Sequence, residues 1–189
     1  MTQKAIIVCA PSGAGKTSII RYLLNALPYL AFSVSACSRP KRENETDGKD
    51  YYFLSADEFR ERIEAGDFVE WEEVYPGSYY GTLKSELKRI WKENRIPIFD
   101  VDVKGGLSLK TYFGPRALSL YIKPPSIETL EKRLRNRGTE TDESLKKRLG
   151  RAEFELGFAS NFDLAIINET LEPACKSAAE AIIRFLDQK

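Results

Sequence analysis

The segment from residue 4 to residue 17 combines an apolar run, a turn of small residues and the start of a helical pattern. The apolar run is Ile6-Ile7-Val8, and the turn leads into Gly15-Lys16-Thr17. A β-branched run of this kind is typical of a buried parallel strand, and the residues after Thr17 have helical spacing. Strand, small-residue loop and helix in this order form a phosphate cradle, because glycines let backbone N–H groups point inward at an anion. The segment therefore predicts an α/β fold that binds a nucleoside triphosphate.

Within this phosphate loop, Lys16 is placed to reach the β- and γ-phosphates, and the Thr17 hydroxyl is placed to ligate Mg²⁺. Gly-Lys-[Ser/Thr] alone occurs often by chance, so the flanking strand and helix carry the prediction; a β-to-α turn without a ligand is the alternative. The first glycine of the usual pattern is replaced by Ala10, which fits the turn if its φ angle is negative. We assign the triphosphate to the whole loop, namely Ala10, Pro11, Ser12, Gly13, Ala14, Gly15, Lys16 and Thr17.

The composition limits the number of domains, the kinds of partner and the cellular location that we predict. A chain of 189 residues with 42% hydrophobic content suggests one globular unit. The net charge of +1, from 29 basic and 28 acidic residues, argues against a nucleic-acid partner, and the lack of histidine excludes imidazole general-base chemistry. No signal peptide and no apolar stretch of about 20 residues is visible, so we predict a cytoplasmic protein without a membrane partner. Cys9, Cys37 and Cys175 are predicted to be reduced core residues.

Strand and helix patterns alternate along the chain, which implies a parallel sheet with helices on both faces. Strands are predicted at residues 6–8, 31–37, 51–53, 68–74, 97–101, 117–122 and 164–167. Helices are predicted at residues 18–24, 55–65, 83–93, 105–113, 126–137, 142–157 and 171–186. The second of them begins with a capping-box pattern, Ser55-Ala56-Asp57-Glu58. Short strands around one helix indicate an inserted α+β subdomain at residues 33–82, and the helix pair indicates a lid at residues 126–157. The core is then expected to comprise residues 1–32, 83–125 and 158–189.

A basic stretch after the first helix is a candidate second phosphate site. Arg39 and Arg42 are three residues apart, near the hydroxyl groups of Ser35 and Tyr51. Guanidinium groups present paired donors that match phosphate oxygens. Taken alone, the stretch fits a solvated basic loop at least as well, and the upstream phosphate loop favours the phosphate site.

A carboxylate and a hydroxyl among aromatic residues form a candidate base-reading site. Glu70 offers acceptors for the N1–H and 2-amino donors of guanine, Thr82 offers a donor to O6, and a tyrosine ring such as that of Tyr80 suits stacking. The alternative is that the aromatic residues are core and Glu70 lies on a surface strand. Asp100 and Asp102 follow a buried strand at its carboxyl end, the usual ligand edge. We expect Asp100 to bind Mg²⁺ through water. We assign Asp102 to the nucleotide that accepts the phosphoryl group.

Three arginines are candidates for neutralising charge during phosphoryl transfer. Arg133 and Arg137 lie one helical turn apart, and Arg148 lies on the next predicted helix. Phosphoryl transfer depends mainly on positioning and charge stabilisation, which converging guanidinium groups supply. Ion pairing with neighbouring acidic residues is the alternative for this segment.

Seven segments, in order, make the whole chain resemble the guanylate kinase family. They are Ala-Pro-Ser-Gly-Ala-Gly-Lys-Thr at 10–17, Ser-Val-Ser-Ala-Cys-Ser-Arg-Pro at 33–40, Asp-Gly-Lys-Asp-Tyr at 47–51, Phe-Val-Glu-Trp at 68–71, Tyr-Tyr-Gly-Thr at 79–82, Phe-Asp-Val-Asp at 99–102 and Arg-Gly-Thr-Glu-Thr at 137–141. Besides Ala10, the chain departs from the family at Lys104, where many members carry glutamine.

The resemblance implies transfer of a phosphoryl group from Mg·ATP to GMP or dGMP by a monomer or homodimer. It places GMP at Ser35, Arg39, Arg42, Tyr51, Glu70, Tyr80, Thr82 and Asp102. It also implies that Arg133, Arg137 and Arg148 are lid arginines and that Asn168 lies near adenine. Two alternatives stay open: a related kinase for another monophosphate or a phosphorylated sugar, and a non-catalytic module that binds a phosphorylated partner.

Overall fold

A parallel five-stranded sheet forms the centre of the computed structural model, which describes residues 3–136 and 142–188. The strands in these residues are β1 (Ala5–Cys9), β2 (Leu30–Phe32), β3 (Ala36–Cys37), β4 (Tyr52–Phe53), β5 (Phe68–Tyr75), β6 (Ser78–Leu83), β7 (Ile96–Val101), β8 (Ala117–Lys123) and β9 (Leu164–Ile167). The central sheet has the order β2-β7-β1-β8-β9, with β1 paired in parallel to β7 and β8. This order places the carboxyl ends of β1 and β7 side by side, where ligands bind in such sheets.

Helices cover both faces of the central sheet. The helices in the described residues are α1 (Lys16–Ala26), α2 (Ala56–Glu64), α3 (Lys84–Lys92), α4 (Val103–Phe113), α5 (Ile127–Arg135), α6 (Asp142–Leu156) and α7 (Leu171–Asp187). Strand β1 is buried throughout, and its alternating side chains serve two cores. Ile6 and Val8 pack towards α1 and α7, whereas Ile7 and Cys9 pack towards α3 and α4. The predicted parallel sheet with helices on both faces is confirmed.

The second sheet has the order β4-β3-β6-β5 and is inserted between β2 and α3. Helix α2 packs on it through Phe59, which stacks on Phe68 with ring centroids 4.3 Å apart. The helix starts at a capping box in which Ser55 and Glu58 exchange hydrogen bonds, as the sequence predicts. The inserted α+β unit is thus confirmed, and β6 is a strand that the sequence pattern did not reveal.

The single strand predicted at residues 31–37 is wrong, because the chain changes sheets within it. The Ser33 amide still donates to Ile98 O of the central sheet at 3.0 Å. The next amide, that of Val34, instead donates to Glu86 Oε1 at 3.0 Å, and β3 then joins the second sheet. A side chain on α3 therefore satisfies a backbone donor at the point where the chain leaves the central sheet.

Glu86 is a buried carboxylate at the point where the two sheets connect, with 2% of its surface exposed. Besides Val34, it accepts a hydrogen bond from the Tyr52 hydroxyl at 2.9 Å and forms an ion pair with Arg89 at 2.8 Å. Burial alone would raise its pKa, but the hydrogen bonds from Arg89, Val34 and Tyr52 outweigh burial and lower it. Glu86 is therefore a charged clamp between α3 and the inserted unit.

Helices α5 and α6 form a small separate cluster through Leu130, Leu134, Leu145 and Ala152. They correspond to the predicted lid helices, except that residues 137–141 lie outside the described part of the chain. The three cysteines are free and buried, which confirms the prediction of core thiols. Within residues 3–136 and 142–188, no helix combines the length and apolarity needed to cross a bilayer.

Candidate active site

The phosphate loop links the end of β1 to the start of α1. Gly13 and Gly15 have φ angles of 90° and 96°, the left-handed region that favours glycine. Among the described non-glycine residues only Asn94 has a positive φ angle, so Ala10 meets the condition set for it. The loop therefore has the backbone that the sequence predicts, despite the missing first glycine.

Asn168 holds the phosphate loop in place through a side-chain hydrogen bond. Its side chain is 3% exposed, and its Nδ2 donates to the carbonyl of Ala14 at 2.7 Å. A Cβ atom on Gly15 would lie 2.2 Å from that Nδ2, so glycine is required here for two reasons, backbone and space. The family resemblance implies that Asn168 lies near adenine, which stays a prediction, and in the structure the side-chain amide contacts the loop backbone.

Two clefts open at the carboxyl edge of the central sheet. The phosphate-loop cleft, of about 520 Å³, is lined by Ala10, Pro11, Ser12, Lys16 and Thr17 and, from α6, by Lys147, Arg148, Arg151 and Glu155. The Glu70 cleft, of about 300 Å³, is lined by Ser35, Tyr51, Glu70, Tyr80, Asp100 and Gly105, among others. Lys16, Tyr75, Asp102 and Arg151 line both clefts, so the two spaces meet at these four side chains.

Lys16 lies at the junction of the clefts. Its ammonium group is 2.5 Å from Asp100 Oδ1 and donates to the carbonyl of Val101 at 2.7 Å. Because Asp100 is on β7, the lysine spans from the phosphate loop to the neighbouring strand. A positive charge is thus held between the two clefts and is paired with a carboxylate of the neighbouring strand.

Glu70 is one of four carboxylates that line its cleft, and it is the one held by a threonine hydroxyl. Its Oε1 accepts a hydrogen bond of 2.7 Å from Thr82 Oγ1, and the Thr82 side chain is fully buried. Burial raises the pKa of Glu70 to about 7 against the hydrogen bond from Thr82, and the charges of Asp102 and Glu72 raise it further. The structure therefore places Thr82 behind Glu70 and not on the cleft wall, so Thr82 orients the carboxylate.

The predicted phosphate site shows a feature that the sequence did not reveal. Ser35, Tyr51 and Tyr80 line the Glu70 cleft, but Arg39 forms a paired contact with Glu45, at 2.7 and 2.5 Å. The hydrogen bonds from Arg39 and from the backbone of residue 42 lower the pKa of Glu45 to about 2. Arg39 also lies over the Tyr51 ring, 4.9 Å from its centroid. Arg42 is exposed, with its backbone amide bound to Glu45.

The lid arginines differ in their contacts. Arg148 donates to Ser12 Oγ at 3.1 Å and so contacts the phosphate loop directly. Arg133 donates instead to the carbonyls of Asn168 and Glu169, at 2.9 and 3.1 Å, and tethers α5 to the turn after β9. Arg137 lies outside the described residues.

Arg151 and Tyr75 line both clefts and were not singled out from the sequence. Arg151 could have been found, because it follows Arg148 by three residues on a predicted helix and shares its face. Tyr75 ends β5 at a hairpin tip, and 66% of its surface is exposed. Nothing in the local pattern distinguishes it from other surface tyrosines.

A phosphate loop after β1, a covered parallel sheet and a helix that places Arg148 against the loop define a P-loop kinase of small phosphorylated substrates. The family model for guanylate kinase matches residues 2–184. A guanylate kinase from Porphyromonas gingivalis is 52% identical, with 97% of this chain and 98% of the relative covered. One from Salinibacter ruber is 48% identical, with 96% of each covered. The crystal structure of guanylate kinase from Anaplasma phagocytophilum matches with a TM-score of 0.78 at 26% identity, covering 100% of this chain and 88% of that one. The chain belongs to the guanylate kinase family.

Proposed function

We propose that this protein transfers the γ-phosphoryl group of Mg·ATP to GMP or dGMP, which gives ADP and GDP or dGDP. The observation that carries the proposal is the meeting of two clefts at Lys16, Tyr75, Asp102 and Arg151. One cleft is built on a phosphate loop, and the other holds an oriented carboxylate. A donor and an acceptor bound there would have their phosphates at the shared wall.

The phosphate-loop cleft suits ATP. Backbone N–H groups of the loop and the start of α1 favour the phosphates, and Lys16 supplies a mobile positive charge for the β- and γ-groups. Arg148 lies across the opening through its contact with Ser12. Asn168, beneath the loop, acts here by holding the Ala14 carbonyl and thereby the loop geometry.

The Glu70 cleft suits guanine. An ionised Glu70 accepts the N1–H and the 2-amino group side by side, whereas adenine presents no such pair of donors. Thr82 fixes the carboxylate from behind, which favours one orientation of the base. Ser35, Tyr51 and Tyr80 supply hydroxyl donors for the GMP phosphate. Arg39 and Arg42 adjoin them, and we propose that Arg39 exchanges Glu45 for this phosphate when GMP binds.

Transfer is then a direct in-line displacement. An anionic oxygen of the GMP phosphate forms a bond to the γ-phosphorus, and the bond from that phosphorus to the bridging oxygen of ADP breaks. The acceptor oxygen carries no proton that must be removed, so no general base is required. Lys16, Arg148 and, from the sequence pattern, Arg133 and Arg137 stabilise the charge on the moving group.

The residues present fit a magnesium ion bound mainly by substrate. Thr17 lies in the first turn of α1, and Asp100 lies beside Lys16 near the end of β7. Residues 3–136 and 142–188 contain no group of three or more acidic, cysteine or histidine side chains that could hold a metal. Mg²⁺ typically takes one or two protein oxygens and completes its shell with phosphates and water. When bound, it would draw negative charge from the β- and γ-phosphates; Thr17 would ligate it directly and Asp100 through water.

We further propose that residues 33–82 are the GMP-binding region, that residues 126–157 are the lid, and that the rest is the core. This division follows the sheet change after Ser33 and the separate cluster of α5 and α6. A cytoplasmic location, the absence of nucleic-acid and membrane partners, and a monomeric or homodimeric state stay predictions.

A coupled assay of ADP release tests the function. Purified protein with Mg·ATP is offered GMP, dGMP, AMP, UMP and dTMP in turn. We expect turnover with GMP and dGMP to exceed that with the others by at least about 100-fold, because an unsatisfied buried carboxylate rejects the wrong base. Equal use of another monophosphate would show a related kinase, and no turnover despite nucleotide binding would show a non-catalytic module.

A further inference from the structure

Arg151 joins the lid helix α6 to the carboxyl edge of the central sheet. Its Nη2 donates to Asp102 Oδ2 at 3.2 Å, and its Nε donates to Glu155 Oε1 at 2.7 Å. The same side chain lines both clefts. It is thus a guanidinium group of the lid that contacts the core at the place where donor and acceptor would meet.

Asp102 is a fixed anchor for this contact. It is the N-cap residue of α4, and its Oδ1 accepts a hydrogen bond of 3.0 Å from the Gly105 amide. The cap leaves Oδ2 for Arg151. Because the cap fixes the carboxylate, the ion pair transmits that fixed position to α6.

Arg151 and Arg148 give α6 two contacts across the junction. Arg148 reaches Ser12 of the phosphate loop, and Arg151, one turn later, reaches Asp102 after β7. Two contacts on one face of a helix define both its rotation and its height above the sheet. Loss of the second contact would remove the tie between α6 and Asp102 and would leave the hydrogen bond from Arg148 to Ser12 in place.

We propose that Arg151 is a positioning residue of the transfer site and acts through Asp102. It keeps α6 over the junction of the clefts, and it offsets the charge of Asp102 beside Glu70. This inference rests on the proposed function, in which Glu70 reads guanine and Arg148 stabilises the transferring group.

The charges around Glu70 allow the offset of the Asp102 charge by Arg151 to be measured through the pKa of Glu70. Asp102 and Glu72 both raise the pKa of Glu70, and Lys104 compensates Glu72 through an ion pair of 2.7 Å. Lys16 and Asp100, which pair with each other, line the same cleft. Arg151 is the partner of Asp102 in this group, so its loss should strengthen the effect of Asp102 on Glu70 and raise the pKa of Glu70.

The test is a carbon-13 NMR titration of the Glu70 carboxyl group in the full-length protein without nucleotide. The resonance is assigned by its loss in Glu70→Gln. We expect Arg151→Gln to raise the midpoint by about half a pH unit and Arg151→Lys, which keeps the charge, to leave it near the wild-type value. Lys146→Gln removes the same charge from an exposed position of α6 and is expected to leave the midpoint unchanged. In an Asp102→Asn background, where Arg151 lacks the ion pair that holds it beside the cleft, Arg151→Gln should shift the Glu70 midpoint by less than it does in the wild type.

Kinetic measurements test separately whether Arg151 keeps α6 over the junction of the clefts. Arg151→Gln should lower kcat by about three- to tenfold, in line with loss of a partly exposed ion pair, with a smaller change in KM for ATP. The acid limb of kcat/KM for GMP should move to higher pH together with the NMR midpoint. An unchanged Glu70 titration in Arg151→Gln, or an equal shift in Lys146→Gln, overturns the inference. Failure of the wild-type protein to phosphorylate GMP would instead overturn the proposed function, while the titration still decides the coupling of Arg151 to Glu70.

Discussion

Replacing Glu70 by glutamine separates the effect of this residue on the free energy of unfolding from its effect on GMP binding. In the structure burial raises the pKa of Glu70 to about 7 from its usual 4.5. Glutamine keeps an oxygen for the hydrogen bond from Thr82 but carries no charge. We therefore expect Glu70→Gln to be more stable than the wild type and a weaker GMP binder at neutral and alkaline pH.

The magnitude follows from proton linkage. The unfolded chain releases the proton of Glu70 near pH 4.5, and the folded chain holds it until about pH 7, so folding is favoured at low pH and this contribution is lost as pH rises. A difference of about 2.5 pKa units corresponds to about 3 kcal/mol once both states are ionised. Between about pH 5 and about pH 8, the stability advantage of Glu70→Gln should therefore grow by about 2–3 kcal/mol.

Urea unfolding of both proteins across this pH range measures the difference. A matched control with the opposite sign is Glu172→Gln on α7, because the ion pair with Lys176 lowers the pKa of Glu172. That variant should be less stable than the wild type by an amount that stays the same between about pH 5 and about pH 8, because a lowered carboxyl pKa makes stability depend on pH only below about 4.5. Calorimetry with GMP should show affinity for the wild type that falls below about pH 7, and weak, pH-independent affinity for Glu70→Gln. A stability difference that is the same at about pH 5 and at about pH 8 would refute the raised pKa of the Glu70 carboxylate.

Three further expectations concern the phosphate loop and the lid. Lys16→Ala should lower turnover by about 100-fold or more while changing GMP affinity far less, because the charge acts mainly on the transferring group; near-normal turnover of the folded variant would remove Lys16 from the mechanism. Gly15→Ala should unfold at lower urea than Gly66→Ala, since both glycines have positive φ angles but only the new Cβ at position 15 meets Asn168, at 2.2 Å; equal losses would show that the clash relaxes. Small-angle scattering with GMP and a non-hydrolysable ATP analogue together should give a smaller radius of gyration than the nucleotide-free protein, and an unchanged radius with both sites filled would exclude lid closure.

The parts of this molecule that sequence predicts best are those whose chemistry is local. The phosphate loop, the capping box at Ser55 and the alternation of strands and helices depend on neighbours within a few residues, and the structure has them where the pattern indicates. The negative φ angle at Ala10 could be stated as a condition for the same reason. Family resemblance then supplied the assignment of Glu70 and Thr82 to guanine, which local pattern alone left undecided and which stays a prediction.

The parts that sequence missed depend on contacts between distant elements. The change of sheets after Ser33 needs Glu86, and the role of Thr82 depends on a strand pairing that brings it behind Glu70. The pairing of Arg39 with Glu45 depends on how a charged loop folds back on itself. No periodicity encodes such partners, because each residue type is equally compatible with solvent.

The clamp at Glu86 also sets the mechanics of the inserted unit. The chain enters that unit through residues 33–35 and leaves it directly from Leu83 into Lys84, and the Glu86 carboxylate holds Val34 and Tyr52 of the unit against α3. Because the two covalent connections and the Glu86 carboxylate lie together, we expect the inserted unit to rotate about this junction rather than to slide along α3. The same arrangement should allow another domain to be grafted at this position. Such a domain would have to reproduce the two chain connections, one backbone donor and one hydroxyl donor to Glu86.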